Sequence, residues 1–307
     1  MNRRTFFRNL GMTAVAGSTF GMSRLERVLA GGLPRAIEVP YDLVALRGGE
    51  PDVMFDQGIA ALGGIGAFVK KGHKVVVKPN IGWDVPPERG GNTNPALIKR
   101  IIEHCYQAGA TKVYVFDHTC DAWQKCYANS GIESIARDAG ATVVPANSEG
   151  YYQKVSIPGG LSLTEAKEHE LVLSSDVFIN VPVLKNHGGA QLTMAMKNLM
   201  GNVWDRRTWH RNDLHQCIAD FATYRKPTLN VLDASLVMKR NGPRGVSVDD
   251  VVPMKSQLLS TDMVALDVAG SKLFGMNPDD IRYIGIAVSQ GVGRPDLENL
   301  NIKRIVL

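Results

Sequence analysis

A short β-branched run, His73-Lys74-Val75-Val76-Val77, is followed directly by Lys78-Pro79-Asn80. Runs of this length and composition are typical of buried strands. After a loop comes Asn94-Pro95, which predicts a helix start with asparagine as the cap and proline in the first turn. The helix is expected to end near Gly109, and a second β-branched run follows at residues 112–116. The order strand, helix, strand is typical of a parallel βαβ unit.

The same alternation continues toward the C-terminus. Further strand-like runs lie at residues 142–144, 177–181 and 228–232, and a helix is predicted at residues 132–139. Short apolar strands that alternate with amphipathic helices predict an α/β fold with a mainly parallel sheet and helices on both faces. We expect one domain over residues 37–307, with a small β-rich insertion and a weakly marked sub-boundary at residues 150–163.

The chain has 307 residues, with 35 Lys and Arg, 30 Asp and Glu, and a formal charge of +5. Five of the basic residues and one of the acidic residues lie within residues 1–30, which leaves residues 31–307 with 30 basic and 29 acidic side chains. A nearly neutral domain has no global field that attracts a polyanion. The composition therefore argues against a nucleic-acid-binding protein.

The N-terminal segment, residues 1–30, resembles a twin-arginine (Tat) export signal. Arg3-Arg4 is followed by an apolar stretch at residues 9–22 that is too short to span a bilayer, which needs about 20 apolar residues. Ala30 offers a small residue for cleavage, and an amphipathic basic helix on the mature protein is the alternative. We expect the protein to have the Tat translocation machinery as a partner. We also expect it to be periplasmic or secreted and to have no stable membrane span.

Four cysteines allow either buried thiols or one disulfide in an oxidising compartment. Cys105 falls on the apolar face of the helix predicted after Asn94-Pro95, whereas Cys120 and Cys126 lie in a loop-like stretch where they could pair. Their spacing is not a Cys-x-x-Cys motif, and no second cluster follows. An iron–sulfur cluster or another metal site is therefore weakly supported, and the cofactor stays unknown.

Polar side chains follow three of the predicted strands. The first group is Lys78-Pro79-Asn80, the second is Lys185-Asn186-His187-Gly188-Gly189 with a later helix that contains Lys197-Asn198, and the third begins at Asp233. Because ligands of parallel sheets collect beyond the carboxyl ends of the strands, we expect these groups to form one site. Lysines and a helix start after two glycines suit a phosphate or carboxylate, although no GxxxxGK[ST] motif is present.

Candidate roles follow from side-chain chemistry, and a structural role is the alternative for each residue. The candidate ligand- or cofactor-binding residues are Lys78, Asn80, Lys185, Asn186, Lys197 and Asn198. His187 and His210 are candidates for proton transfer or metal ligation, and Asp233 is a candidate for orienting a partner group. Asp262 is expected to cap a helix, and His215 is expected at the surface.

These segments together resemble the DUF362 family, which is defined by sequence. The resemblance runs from about Lys74 to Ile284 and rests on Val77–Asn80, Ile179–His187, Met196–Gly201, His210, Leu232–Ala234, Gly242-Pro243 and Ser260–Asp267. The family pattern commonly reads Lys-Thr-His where this chain has Lys185-Asn186-His187, so a role that needs the threonine hydroxyl does not carry over. Many relatives append a ferredoxin-like domain with iron–sulfur clusters, and this chain ends at Leu307 without one. Direct electron transfer by such a module is not implied.

Three functional hypotheses follow. The first is an exported, redox-linked enzyme or cofactor-dependent protein that binds an anionic small molecule or a metal-containing cofactor at the strand ends; the redox class comes by analogy with the family's iron–sulfur relatives. The second is a non-catalytic periplasmic protein that binds such a ligand or delivers a cofactor. Whether the protein is an enzyme stays open. A structural interaction protein ranks last, because the sequence has no heptad pattern or exposed apolar repeat.

Overall fold

A central ten-stranded sheet dominates the computed structural model, which describes residues 37–307. The described strands are β1 (Leu43–Arg47), β2 (Lys74–Pro79), β3 (Lys112–Val115), β4 (Thr142–Val143), β5 (Tyr152–Ser156), β6 (Glu165–His169), β7 (Val177–Val181), β8 (Val183–His187), β9 (Gln191–Thr193), β10 (Leu229–Met238), β11 (Val251–Ser260) and β12 (Ile302–Val306). The predicted export signal at residues 1–30 lies outside the described residues.

Helices alternate with these strands. The α-helices are Pro51–Ala61, Pro95–Gln107, Trp123–Asn129, Ile132–Asp138, Glu170–Ser174, Ala195–Asn198, Arg206–Arg211, Leu214–Tyr224, Met263–Phe274 and Arg282–Ser289. The predicted caps are confirmed, because Asn94 accepts a hydrogen bond from the second residue of its helix and Asp262 accepts two from the first turn of its own. Within residues 37–307, no helix has the length and apolar character needed to cross a bilayer.

Most neighbouring strands of the central sheet run parallel. The order is β12-β1-β11-β10-β7-β2-β3-β4, and β8 pairs with β10 and β9. Strand β11 is antiparallel to β1 and β10, and β9 is antiparallel to β8. The other strand pairs of this central sheet are parallel. The mainly parallel α/β class predicted from the sequence is confirmed.

The middle of the sheet is covered on both faces. All five residues of β7 are buried, and so are Val75–Val77 of β2. Successive side chains of a strand point to opposite faces, so a strand that is buried throughout has packing partners on each side. Lys78 of β2 lies in register with Asn180 of β7. The carboxyl ends of these parallel strands therefore bring polar side chains together at one edge of the buried apolar core.

Two predicted boundaries are wrong. The run at residues 228–232 continues as β10 to Met238, because β11 pairs with it along most of its length, so Asp233 lies within a strand rather than after one. Gly188 and Gly189 form the turn of the β8–β9 hairpin rather than a helix start, and the next helix begins at Ala195. In both places the deciding factor is pairing with a distant strand, which local sequence does not specify.

The predicted β-rich insertion corresponds to a hairpin. Strands β5 and β6 form a separate antiparallel sheet, with Tyr152 opposite His169. The four cysteines are free thiols, so the structure contains no bridge between Cys120, which is exposed, and Cys126, which is buried. Buried thiols, one of the two predicted alternatives, therefore describe Cys105, Cys126 and Cys217.

Candidate functional site

A narrow cleft opens at the carboxyl ends of β2 and β8. Its cavity volume is about 50 Å³. We call it the lysine cleft, and its lining residues are Lys78, Asn80, Gly82, Trp83, Asp117, His118, Cys120, Lys185, His187, Thr193, Lys197, Asn198, Met200, Gly201, Arg206 and Pro243. Five of the six residues predicted to bind a ligand or cofactor are brought together here, together with one of the three predicted catalytic residues.

One wall of the cleft contains a buried ion pair between Lys78 and Asp117. The ammonium nitrogen lies 2.8 Å from the carboxylate oxygen, and both side chains are almost inaccessible to water. Lys78 also donates a hydrogen bond to the carbonyl of Pro79, and the Asp117 carboxylate accepts one from the backbone N–H of Ile81. Burial lowers the pKa of Lys78, and the Asp117 carboxylate opposes that shift. This pair contributes no net charge to the cleft.

Gly201 permits this ion pair to form. A Cβ atom at this position would lie 1.8 Å from the Asp117 Oδ1 atom and 2.6 Å from the Lys78 Nζ atom. The backbone of Gly201 also accepts a hydrogen bond from the N–H of His118. Glycine is therefore required here by close approach, because any side chain would displace the pair.

Lys185 is a buried cation without a carboxylate partner. Its ammonium donates to the Asn80 side-chain oxygen at 3.1 Å and to the carbonyl of Gly91, and the side chain is 1% exposed. Burial, with the added repulsion of the Lys197 charge, lowers the pKa of Lys185 to about 7. Neutral oxygen acceptors therefore hold this lysine in place without fully compensating its charge.

Four asparagines connect Lys185 to the middle of the sheet. We call this series the amide chain: the Nδ2 group of Asn80 donates to Asn198, that of Asn198 to Asn180, that of Asn180 to Asn230, and that of Asn230 to the carbonyl of Ser260. Every side-chain oxygen in the series is turned toward the Lys185 end. The amide dipoles therefore favour positive charge in the cleft and reinforce one another.

Lys197 differs from the other two lysines. Its side chain is 9% exposed, and no hydrogen bond or ion pair joins its ammonium to any residue of the described chain. Burial, with repulsion from Arg206 and Lys78, lowers the pKa of Lys197 to about 8. An unpartnered, nine-tenths-buried cation thus lines the cleft.

The short helix Ala195–Asn198 positions Lys197, and Asp267 holds that helix. The Asp267 carboxylate accepts hydrogen bonds from the backbone N–H groups of Ala195 at 2.7 Å and Met196 at 3.1 Å. Burial raises the pKa of Asp267 to about 8. These backbone donors are consequently not free for a ligand, and the anion-attracting helix start expected near Gly188-Gly189 is absent from the described cleft.

His187 lines the cleft in a defined tautomer. Its Nδ1 atom accepts hydrogen bonds from the backbone N–H groups of Gly189 and Ala190, so the neutral ring carries its proton on Nε2. Burial, together with the charges of Lys197 and Lys185, lowers the pKa of His187 to about 2. The ring therefore stays neutral and offers its Nε2–H as a hydrogen-bond donor.

His118, which the sequence analysis missed, presents the opposite polarity. Its Nδ1 atom lies 2.8 Å from the carbonyl of Val203, which can only accept, so Nδ1 donates and Nε2 keeps a lone pair. The ring stacks on Trp204 with centroids 5.2 Å apart. Burial, with the Arg206 charge, lowers the pKa of His118. The cleft thus contains one imidazole donor and one imidazole acceptor.

Three lining residues with a charged or imidazole side chain were not predicted, namely Asp117, His118 and Arg206. Asp117 and His118 follow β3 after one intervening residue, Phe116, so the strand-end rule that selects Lys78 also selects them. Arg206 donates hydrogen bonds to the carbonyls of His118 and Thr119, which fixes its guanidinium at the cleft. The sequence around Arg206 is rich in charged and aromatic residues and gives no signal that separates it from a solvated loop.

Three predicted site residues lie outside the cleft lining. His210 is exposed on the helix Arg206–Arg211, with its ring centroid 6.4 Å from that of His187. The Asn186 side chain accepts a hydrogen bond from the N–H of Gly242. Asp233 is buried, and its carboxylate accepts hydrogen bonds from the N–H of Asn94 and from the N–H and hydroxyl of Ser235. These contacts support the helix start and the turn beside the cleft.

The described residues give little support for a metal centre. Within residues 37–307, no group of three or more His, Cys, Asp or Glu side chains is arranged to hold a metal ion. The charged side chains of the lysine cleft are mainly ammonium and guanidinium groups, which bind anionic oxygens and repel cations. The arrangement suits a phosphate or carboxylate group.

The chain is therefore an α/β protein with a cationic cleft at the carboxyl ends of parallel strands. It belongs to the family described as Domain of unknown function (DUF362), which matches residues 75–272. A thylakoid-associated protein of Synechocystis sp. (strain ATCC 27184 / PCC 6803 / Kazusa) is 27% identical over 229 residues, which cover 72% of this chain and 68% of that protein.

Two solved structures share part of the backbone arrangement. The lactate racemase apoprotein from Thermoanaerobacterium thermosaccharolyticum has a TM-score of 0.48 and 12% identity over 78% of this chain and 58% of its own. A protein from Thermotoga maritima has a TM-score of 0.48 and 10% identity over 78% of this chain and 60% of its own. This chain thus spans less than two thirds of either structure, and the likeness concerns the fold alone.

Proposed function

We propose that the lysine cleft binds a small anionic molecule through a phosphate or carboxylate group. The observation that carries this proposal is that Lys185 and Lys197 are buried beside each other's charge without a carboxylate partner. A buried charge without compensation is costly, and the cost is relieved when a ligand of opposite charge enters. The ligand would thus supply the counter-charge that the protein does not.

The balance of charge and the size of the cleft support the same ligand class. Four cationic side chains line the cleft against the single carboxylate of Asp117. A volume of about 50 Å³ exceeds the roughly 10–15 Å³ that one water needs and suits one compact anionic group. A large organic cofactor would have to extend out of the cleft.

Calorimetric titration of the full chain with inorganic phosphate tests this proposal. Lys197→Met is expected to weaken binding by about tenfold or more, since a hydrogen bond to a charged group contributes about 1.5–3 kcal/mol. Lys125→Met, which removes an exposed lysine that does not line the cleft, is the matched control and is expected to bind normally. Equal affinity of both variants for phosphate, or the absence of phosphate and acetate binding to the wild type, would contradict the proposal.

A second proposal is catalysis by the two imidazoles, and it is favoured by their opposite tautomers. His187 offers a proton donor and His118 a lone pair to the same small cleft, the pairing expected for acid–base chemistry on a bound anion. A non-catalytic binding or cofactor-delivery protein needs neither group. Phosphate affinity and cellular function that both survive His118→Asn and His187→Asn would favour the delivery protein, and a redox-linked enzyme remains the class suggested by family analogy.

We also propose that residues 1–30 direct export by the Tat machinery, so that the protein acts in the periplasm or outside the cell. The Arg3-Arg4 pair and the short apolar stretch that follows it support this proposal. Fractionation of a Tat-competent host is expected to recover the wild type outside the cytoplasm and an Arg3→Lys/Arg4→Lys variant inside it. The same distribution for both chains would refute export by this route.

A further inference from the structure

Lys197 is the one lysine of the cleft whose ammonium has no hydrogen-bond or ion-pair partner among the described residues. Lys78 is paired with Asp117, and Lys185 donates to two carbonyl-type oxygens. The Lys197 ammonium has no hydrogen bond or ion pair within residues 37–307, although its side chain is 91% buried. A buried and unheld lysine is free to react with a ligand in the cleft.

The surroundings of Lys197 favour the neutral amine. Burial and the charges of Arg206 and Lys78 lower its pKa to about 8, so a usable fraction is unprotonated near neutrality. Desolvation and a neighbouring cation are the two means by which lysines become nucleophiles toward carbonyl compounds. Both are present here.

The backbone beneath Lys197 is fixed at both ends of its helix. Asp267 holds the first two N–H groups, and Asn198 is bonded to two other members of the amide chain. A reactive group is most effective when its support is rigid and only its tip is free. The arrangement therefore presents the amine in a constant position beside the other cations.

We propose that Lys197 forms a covalent imine with a small anionic carbonyl compound of the 2-oxo acid class. The assignment rests on the proposed anion-binding function, because the Arg206 guanidinium holds the carboxylate while Lys197 attacks the adjacent carbonyl carbon. The His187 Nε2–H is the donor available to the carbonyl oxygen as charge develops on it. The small volume of the cleft favours a short 2-oxo acid over a longer phosphorylated aldehyde.

The reaction balances without an oxidant or reductant. The Lys197 ammonium releases one proton to water, and the nitrogen lone pair forms the C–N bond while the carbonyl π electrons move to oxygen. The oxygen then takes up one proton from the nitrogen and one from water, and it leaves as a water molecule. One ammonium and one carbonyl compound become one protonated imine and one water.

Reductive trapping tests the imine. The full chain is incubated with pyruvate and sodium borohydride, and the product is examined by intact mass spectrometry and peptide mapping. We expect one adduct per chain on Lys197, its loss in Lys197→Arg, and its persistence in the matched control Lys125→Arg. The trapping rate of the wild type is expected to rise as the pH passes about 8 and to fall when phosphate is added as a competitor.

Phosphate binding, measured in parallel, separates this inference from the proposed function. A chain that binds phosphate but gives no adduct overturns the imine and leaves anion binding intact. An adduct found mainly on Lys185 or on exposed lysines, or one that phosphate does not suppress, overturns the assignment to Lys197. Phosphate competition is measured in the wild type, so the conclusion does not depend on the folding of a variant.

Discussion

Replacing Lys185 by methionine is expected to remove a pH dependence of stability. The pKa of this lysine falls from 10.5 to about 7 on folding, which corresponds to a cost of about 4–5 kcal/mol while the native side chain is protonated. Above pH 7 the native amine is neutral while the unfolded one keeps its proton, so the cost declines as pH rises. From about pH 7 to about pH 9, this group alone raises the free energy of unfolding of the wild type by about 2–3 kcal/mol.

Urea unfolding of wild type and Lys185→Met at these two pH values measures the effect. We expect the variant to be about as stable as the wild type near neutrality, because removal of the burial cost offsets the roughly 1–3 kcal/mol lost for each of the two acceptors left unpaired. Relative to the wild type, the variant should become less stable by about 2–3 kcal/mol between about pH 7 and about pH 9. Groups that titrate in this range without interacting with Lys185 are common to both chains and cancel in the difference.

The exposed Lys125 supplies the matched control. Lys125→Met is expected to differ from the wild type by less than about 0.5 kcal/mol at either pH. A wild-type-minus-variant difference for Lys185→Met that is constant between the two pH values would refute the reasoning, because it would mean that Lys185 keeps its ordinary affinity for protons when buried.

Three further predictions concern the same region. Gly201→Ala is expected to lower the free energy of unfolding by about 3–5 kcal/mol in urea titrations, because the new methyl group breaks the buried ion pair. Gly285→Ala is the control and should be neutral or slightly stabilising, because a Cβ atom at Gly285 meets nothing within 4 Å. Asn198→Ala interrupts the amide chain and should cost about 1–3 kcal/mol for each buried polar group left unpaired, against less than about 0.5 kcal/mol for the exposed Asn147→Ala, measured by thermal unfolding. Phosphate binding should take up protons and weaken as pH rises through about 7 to 8, because the cleft lysines lose their charge. Calorimetric titrations in two buffers of different ionisation enthalpy measure this proton uptake, and equal binding enthalpies in the two buffers would contradict it.

The strand-end rule is the part of the site that the sequence predicts well. Lys78, Asn80, Lys185 and Lys197-Asn198 are separated along the chain yet line one cleft, because the strands that precede them are parallel neighbours or attached to such neighbours. The same rule also selects Asp117-His118, which follow β3. The alternation of strands and helices along the chain predicts that successive strands run parallel, and this alternation can be read from the local sequence.

The remaining features depend on contacts that local sequence does not encode. Asp233 resembles a strand end because a carboxylate follows an apolar run, but antiparallel pairing with β11 carries the strand past it. Gly188-Gly189 is compatible with a hairpin turn and with a helix start, and pairing of β8 with β10 selects the hairpin. Arg206 lines the cleft because its guanidinium donates hydrogen bonds to the carbonyls of His118 and Thr119, which lie far away in the sequence. Each outcome is decided by tertiary packing over a weak local preference.

The dispersed origin of the lysine cleft links ligand occupancy to folding. Its three lysines stand on β2, on β8 and on the helix Ala195–Asn198, and β10, which adjoins β7 and β8, comes later in the chain. No fragment that lacks one of these elements can hold the three charges together. A ligand would therefore select the completed native state, and at about 100 times its dissociation constant it would add about 2.7 kcal/mol to the free energy of unfolding.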